Sequence, residues 1–149
     1  MATNVGQERD IATLVQDLIT LERDAIAAYD SMIEKLSQAA LGSQVAQFRK
    51  DHLQHLDVLE EMAAELGVAA PTEGDAKQLL TTGKIALAQL MGDKMILKAM
   101  KTNEDDTVKA YARAASHPEA IDRSRAFFAK ALADEERHRD WMAKTAAGL

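Results

Sequence analysis

Cysteine is absent from this sequence of 149 residues. The chain therefore has no disulfide, no thiolate nucleophile, no iron–sulfur cluster bound by cysteine and no cysteine-bound zinc. Any metal site in this chain has to be built from carboxylate oxygen and imidazole nitrogen.

Positive charge and long apolar segments are also scarce. Lysine and arginine together number 18 against 24 aspartates and glutamates, which gives a net charge of −6. This balance argues against a general nucleic-acid-binding protein, which needs a basic face to displace counterions. No apolar run reaches the roughly 18 residues of a spanning helix, and residues 1–10 lack the apolar core of a signal peptide. We therefore expect a cytoplasmic protein with no membrane span and no nucleic-acid partner.

Proline and aromatic residues are few, with two prolines and 4% aromatic residues, whereas alanine, leucine, glutamate, lysine and methionine dominate. The dominant residues are good helix formers. Hydrophobic residues make up 47% and charged residues 28% of the chain, which is the balance of a folded protein. The length corresponds to one domain, so we predict a single all-α domain over residues 1–149.

Apolar residues at helical spacing predict four long helices. Their approximate bounds are 8–36, 43–66, 93–115 and 118–146. Short connections join the first helix to the second and the third to the fourth, so each pair should form an antiparallel hairpin. The connection 67–92 is longer than a helix hairpin needs. We predict that it crosses over along the bundle and is partly helical.

The start of the fourth helix has a local signal. Ser116-x-x-Glu119 is typical of a capping box, and Pro118 would occupy the first turn. We expect His117, which lies in the preceding turn, to be exposed to solvent. The acidic run at 105–106 is likewise expected on a solvated face.

Ionisable side chains interrupt the apolar stripe of every predicted helix near its middle. Because a buried ionisable group is costly unless it is paired or bound to a metal, a layer of such groups needs a positive partner. This argument predicts a charged layer in the bundle core whose groups are either paired with one another or bound to a metal. The six residues are Glu22, His52, His55, Glu104, Glu135 and His138.

The two halves of the chain repeat one pattern. It is DHLQHLD at 51–57 and DEERHRD at 134–140. A single glutamate precedes the first histidine of the first pattern by 30 residues and the first glutamate of the second by 31, and a tyrosine follows each of these glutamates by seven. The repeat predicts two related hairpins that face each other across a pseudo-twofold axis. The glutamate and tyrosine pairs are Glu22 with Tyr29 and Glu104 with Tyr111.

One glutamate on each of two helices, with Glu-x-x-His on each of the other two, is the ligand set of ferritin-like di-iron carboxylate proteins. The chain resembles this superfamily over nearly its whole length, and within it the small bacterial proteins similar to rubrerythrin. The resemblance implies a ferritin-like four-helix bundle with one long crossover between helices 2 and 3. It also implies that the six ionisable residues are metal ligands. His52 departs from the pattern, because it stands where the family usually has a bridging glutamate.

The resemblance assigns roles to residues around the ligands as well. Asp51 and Asp134 correspond to aspartates that accept the free N–H of a ligand histidine on the opposite helix and so fix its tautomer. We therefore predict that Asp51 binds His138 and that Asp134 binds His55. Tyr29 and Tyr111 are candidates for the same outer layer, and core packing is the alternative for both. No catalytic residue is assigned.

The substitution at His52 changes the charge of the expected site. Four carboxylates would neutralise two divalent ions, whereas three glutamates with neutral histidines leave a charge of +1. Three alternatives follow: a hydroxide or an exogenous carboxylate bridges the ions, the site holds a single metal, or oxidation to the diferric state is harder than usual. Carboxylate and imidazole suit iron or manganese, and also zinc.

The leading functional hypothesis is a non-haem iron protein whose iron reacts with O₂ or peroxide. The reaction would be oxidation of iron itself, removal of peroxide or another oxidation. One alternative is a metal-bound bundle without turnover that serves as a stress or scaffold protein. Another is a metal-free helical interaction module. Whether the protein is an enzyme stays open. All expected ligands lie in one chain, and we expect a homodimer.

Overall fold

Helices make up most of the computed structural model, which describes residues 3–72 and 79–149. The described residues contain no β-strand, so the predicted all-α fold is confirmed. Four long helices and one short helix form a bundle. In chain order they are α1 (Ile11–Lys35), α2 (Ala39–Leu66), α3 (Lys84–Ala88), α4 (Asp93–Ala115) and α5 (Asp122–Ala147).

The order of side-chain contacts gives the direction of the helices. Tyr29 and Glu22 of α1 contact Glu104 and Tyr111 of α4, respectively, so these two helices run antiparallel. Short loops join α1 to α2 and α4 to α5, and each pair is an antiparallel hairpin. Consequently α2 and α4 run in the same direction, and the chain between them has to return along the length of the bundle.

The described part of the returning segment, residues 67–72 and 79–92, contains the short helix α3 and is bound to both hairpins. Asp24 of α1 accepts a hydrogen bond from the backbone N–H of Leu79 at 2.6 Å. Asn103 of α4 binds both the N–H and the carbonyl of Thr82 at 2.8 Å. Residues 73–78 of the predicted crossover lie outside the described residues. Within the described ranges no helix is apolar over enough of its length to span a bilayer.

Two helices begin later than their sequence patterns indicate. Helix α1 begins at Ile11 rather than near residue 8, because the side chain of Asp10 accepts the N–H of Thr13 at 2.8 Å and caps the helix. Helix α5 begins at Asp122 rather than at residue 118, and the hydroxyl of Ser124 accepts the N–H of Ile121 at 2.9 Å.

The predicted capping box at 116–119 is therefore not used. Glu119 instead accepts the N–H of Ile11 at 2.8 Å, so its carboxylate caps a different helix, 108 residues earlier in the chain. Helix α2 differs in the opposite direction: it begins at Ala39 rather than 43 and continues through Gly42.

Two polar residues that were expected at the surface are buried. His117 is 3% exposed and donates from Nε2 to the carbonyl of Glu8 at 2.8 Å. Asp106 is 2% exposed and accepts the backbone N–H groups of Thr3 and Thr81. Both predictions were wrong because the N-terminal segment and the crossover pack on the second hairpin, which helical periodicity does not reveal.

Candidate metal centre

Six ionisable side chains meet in one layer at the middle of the bundle, and none is more than 1% exposed. They are the six residues singled out by the interrupted apolar stripes. Helices α1 and α4 contribute one glutamate each, and α2 and α5 contribute two residues each at a spacing of three, which places both on one helix face. The six are Glu22, His52, His55, Glu104, Glu135 and His138.

Their ligand atoms form two overlapping groups, and within each group the atoms lie within 4.8 Å of one another. His52 and Glu135, which occupy equivalent positions in the two sequence repeats, belong to both groups. We call the groups cluster 1 and cluster 2. Cluster 1 consists of Glu22, His52, His55 and Glu135, and cluster 2 consists of His52, Glu104, Glu135 and His138.

The carboxylate of Glu135 extends into both clusters. Its Oε1 lies 3.3 Å from Nδ1 of His55, and its Oε2 lies 3.4 Å from Nδ1 of His138. His52 lies opposite, with Nδ1 2.7 Å from Oε2 of Glu22 and Nε2 3.5 Å from Oε1 of Glu104.

The other two histidines each direct one nitrogen inward and one outward. Nε2 of His55 lies 2.8 Å from Asp134, and Nε2 of His138 lies 2.8 Å from Asp51. Both contacts cross between the hairpins, as the sequence pattern predicted. Because a carboxylate only accepts, Nε2 carries the proton and Nδ1 of a neutral ring presents its lone pair to the cluster.

Arg137 joins the two aspartates on the outside of the layer. Its Nη2 lies 2.8 Å from Oδ2 of Asp51 and 3.2 Å from Oδ1 of Asp134, and its guanidinium lies over the ring of Phe48. The arginine therefore contacts the supports of both His55 and His138. Sequence reasoning missed it, because a half-exposed arginine on a long helix has no distinguishing pattern.

The two tyrosines bind glutamates of the opposite hairpin. The hydroxyl of Tyr111 donates to Oε1 of Glu22 at 2.6 Å, and the hydroxyl of Tyr29 donates to Oε1 of Glu104. Burial and the neighbouring carboxylates hold the pKa of both phenols well above the usual value near 10. Both hydroxyls therefore stay protonated and act as donors at neutral pH.

Thr107 is a second residue that the sequence did not indicate. Its hydroxyl lies 3.0 Å from Oε2 of Glu104 and 3.1 Å from Oε2 of Glu135. It sits three residues after Glu104, on the same face of α4. A threonine at that spacing is common in helices, so nothing in the sequence set it apart. The equivalent position in the first hairpin, three residues after Glu22, is Ala25.

Histidine charges balance the carboxylates when no metal is bound. Burial works against ionisation of Glu22, but His52 and His55 outweigh it and lower its pKa to about 2. Burial also opposes protonation of His55 and His138, and the facing carboxylates nevertheless raise their pKa values to about 10 and about 9. For Glu135, burial dominates and its pKa is raised. The layer is thus a set of mutually dependent charges.

Two buried ligand atoms have ionisable neighbours at 3.3–3.5 Å but form no hydrogen bond. Among the described side chains, Nε2 of His52 and Oε1 of Glu135 form no hydrogen bond. Such atoms are rare in protein interiors, because burial without a partner costs free energy. Both face the clusters, and both are of types that ligate metals. The donor set therefore fits a bound cation.

Comparison with known proteins gives a family and a fold. Residues 10–117 match the family described as "Domain of unknown function (DUF2383)". The crystal structure of a conserved hypothetical protein, Rv2844, from Mycobacterium tuberculosis is similar, with a TM-score of 0.77. That match covers 91% of this chain and 89% of the other at 21% identity, so it shows the fold alone. No curated protein matches the chain.

Proposed function

Because the chain belongs to the DUF2383 family, described as a domain of unknown function, we propose a function from the site itself. The protein is a ferritin-like, non-haem metal protein that binds iron at the Glu/His layer and reacts it with O₂ or peroxide. The observation that supports this most directly is a pair of buried ligand atoms without a hydrogen bond, on His52 and Glu135, inside two overlapping clusters.

The burial of the layer is the physical reason for a metal. Three glutamates within one dry layer repel each other unless cations accompany them. Without metal the histidines supply this charge by protonation. With metal the same carboxylates and imidazoles become ligands, and the cost of their burial is offset by coordination. Replacing buried ionic groups by apolar side chains of similar volume is often neutral or stabilising in proteins, so packing alone does not account for this layer.

The ligand chemistry supports iron and leaves manganese and zinc as alternatives. Each cluster offers two carboxylates and two imidazoles, a mixture that suits all three ions. Bound iron would supply electron exchange with O₂ or peroxide. Other residues of the chain orient the ligands. Asp51 and Asp134 fix the rings of His138 and His55. The hydroxyls of Tyr29 and Tyr111 donate to Glu104 and Glu22.

A metal-bound bundle without turnover is the second candidate. It is favoured by the complete burial of the six residues, none of which has more than 1% of its surface exposed. A structural ion needs no access for a reactant, whereas an oxidation centre does. Reaction with O₂ separates the two candidates.

The experiment has two stages. Elemental analysis of protein purified without chelator gives the metal and its stoichiometry. Anaerobic loading with Fe(II) followed by O₂ should then produce a near-ultraviolet ferric band together with O₂ consumption. Glu135→Gln should lose both signals, and Glu136→Gln, which changes the exposed neighbour, should keep them. Bound iron that stays inert to O₂ and peroxide would favour the non-catalytic bundle, and a chain that binds no metal would contradict both candidates.

A further inference from the structure

We infer that His52 is a bridging ligand, with Nδ1 bound to the ion of cluster 1 and Nε2 bound to the ion of cluster 2. The inference rests on the proposed metal centre and adds to it how the two ions are connected.

The surroundings of the His52 ring support this assignment. Nδ1 lies 2.7 Å from Glu22, which belongs to cluster 1 alone, and Nε2 lies 3.5 Å from Glu104, which belongs to cluster 2 alone. The ring is completely buried. Its two nitrogens therefore face two different sets of carboxylates.

The other layer histidines differ at the second nitrogen. In His55 and His138, Nε2 is taken by an aspartate outside the layer, so each ring has one nitrogen left for a metal. In His52 both nitrogens face glutamates of the layer itself, and Nε2 has no hydrogen bond. Of the three rings, His52 is the one arranged to ligate at both ends.

The pseudo-twofold partner of His52 shows the same division. That partner is Glu135, and its Oε1 faces His55 of cluster 1 while its Oε2 faces His138 of cluster 2. A carboxylate in this position spans the two clusters with one oxygen in each. His52 spans them from the opposite side with one nitrogen in each.

Charge arithmetic agrees with a bridging ring. Three glutamates contribute −3, and an imidazole that ligates through both nitrogens has lost its last N–H proton to solvent and contributes −1. The sum of −4 neutralises two divalent ions, and no hydroxide or exogenous carboxylate is required. Each ion then takes the place of one of the two protons that the imidazolium form of His52 carries.

Nuclear magnetic resonance of the ¹⁵N-histidine-labelled chain loaded with ¹¹³Cd(II) tests this directly. The chain has four histidines, so single His→Gln variants assign every ring. We expect both nitrogens of His52 to couple to cadmium, each to a different ¹¹³Cd resonance. His55 and His138 should each show one coupling, at Nδ1, and keep an N–H at Nε2. His117, which binds the carbonyl of Glu8, should show none.

The outcomes separate the inference from the proposed function. Two bound cadmium ions with a single coupling at His52 would make it a terminal ligand and overturn the bridge, while the metal centre would stand. Binding of one ion only would overturn the bridge as well. If none of the three layer histidines couples to cadmium, the metal centre itself is contradicted.

Variants of His52 give a second readout that does not depend on spectral assignment. Glutamine offers one ligand oxygen and cannot bridge, so His52→Gln should lose at least one of two bound cadmium ions in equilibrium dialysis. Glutamate offers two oxygens, as Glu135 does, so His52→Glu should restore both ions. His117→Gln is the matched control and should bind two. Unchanged stoichiometry and affinity in His52→Gln would overturn the bridge.

Discussion

The two hairpins contribute equivalent residues to most positions of the layer and differ where charge is concerned. The first hairpin supplies one glutamate and two histidines, and the second supplies two glutamates and one histidine. The second also has a hydroxyl donor beside its additional carboxylate and an arginine on the aspartates outside the layer, where the first has a methyl group and a neutral amide at the equivalent sequence positions. The differing pairs are His52 and Glu135, Ala25 and Thr107, and Gln54 and Arg137.

This difference shows how one backbone arrangement accommodates unequal charge. Glu135 adds a buried negative charge, and Thr107 donates toward it within 3.1 Å. Arg137 lies outside the same part of the layer and binds the two aspartates that support the inner histidines. The hairpin with the additional carboxylate thus also carries an additional hydroxyl donor and an additional cation, the first on Glu135 and the second on the outer aspartates. The first hairpin, with His52 in the place of Glu135, has Ala25 and Gln54 at the positions equivalent to Thr107 and Arg137.

The largest expected effect is that of the metal on stability, and it involves both hairpins. An ion that binds only the folded chain stabilises it by about 4 kcal/mol at a thousandfold excess over its Kd. Fe(II), Mn(II) or Zn(II) should therefore raise the Tm, and Glu22→Ala combined with Glu104→Ala should abolish the rise. The control is Glu61→Ala with Glu136→Ala, which changes two exposed glutamates. A wild-type melting curve indifferent to metal and chelator would contradict the metal site.

The next largest effect is on metal affinity, and it is expected when the aspartate that supports one of the layer histidines is changed. One aspartate lies on each hairpin, so the two hairpins can be tested separately. Asp51→Asn removes the support of His138, and Asp134→Asn removes that of His55. Each change should weaken Zn(II) binding by about 10- to 100-fold, because the ring loses its fixed tautomer and orientation. Competition with a chromophoric chelator gives the affinities.

Each sequence repeat ends in an aspartate that serves as a control. Asp57→Asn and Asp140→Asn alter exposed residues of the same type on the same helices. They should leave the affinity unchanged. Equal losses in these controls and in the Asp51 and Asp134 variants would show a general effect of charge rather than of ring orientation.

A smaller effect is expected for Arg137, which is half exposed. Exposed ion pairs contribute about 0–1 kcal/mol, so Arg137→Gln should weaken Zn(II) binding by no more than about fivefold. Because the arginine contacts both aspartates, the affinity for Zn(II) should fall at both clusters. Arg139→Gln is the control, since Arg139 pairs with Asp140.

The sequence repeat allows a sharper version of this test. Gln54 occupies the position equivalent to Arg137 in the other repeat. If the two halves present equivalent surfaces to the aspartates, then adding Gln54→Arg to Arg137→Gln should recover the lost affinity. Failure to recover would mean that the arginine depends on contacts special to α5, such as its position over Phe48.

The sequence contained enough to locate the layer and the aspartates and tyrosines that contact it, but not the other residues around it. The six residues of the layer interrupt apolar helical stripes, so each can be recognised in the sequence as an ionisable residue at a position where an apolar one is expected. Thr107 and Arg137 interrupt no apolar stripe, so the sequence does not distinguish them from other helix residues. Their contacts with the layer depend on how the helices pack together. Glu119 shows the same limit: its spacing from Ser116 fits a local cap, yet it caps α1 because the bundle brings that helix end closer.

The finest distinction concerns pH in the metal-free chain, where the two inward-facing histidines differ by about one pH unit. The pKa of His55, which faces Glu22 and Glu135, is raised to about 10, and that of His138, which faces Glu104 and Glu135, is raised to about 9. In the unfolded chain both titrate near 6.5.

Since the folded state holds these protons more tightly, their stabilising contribution is complete below pH 6.5 and is lost as the pH rises through the folded pKa values. Urea unfolding of the metal-free chain should therefore show stability declining from pH 6.5 upward. His138→Gln should remove the part of this decline that ends near pH 9, and His55→Gln the part that continues toward pH 10. Stability that is flat over this range would mean that the rings are neutral in the metal-free fold.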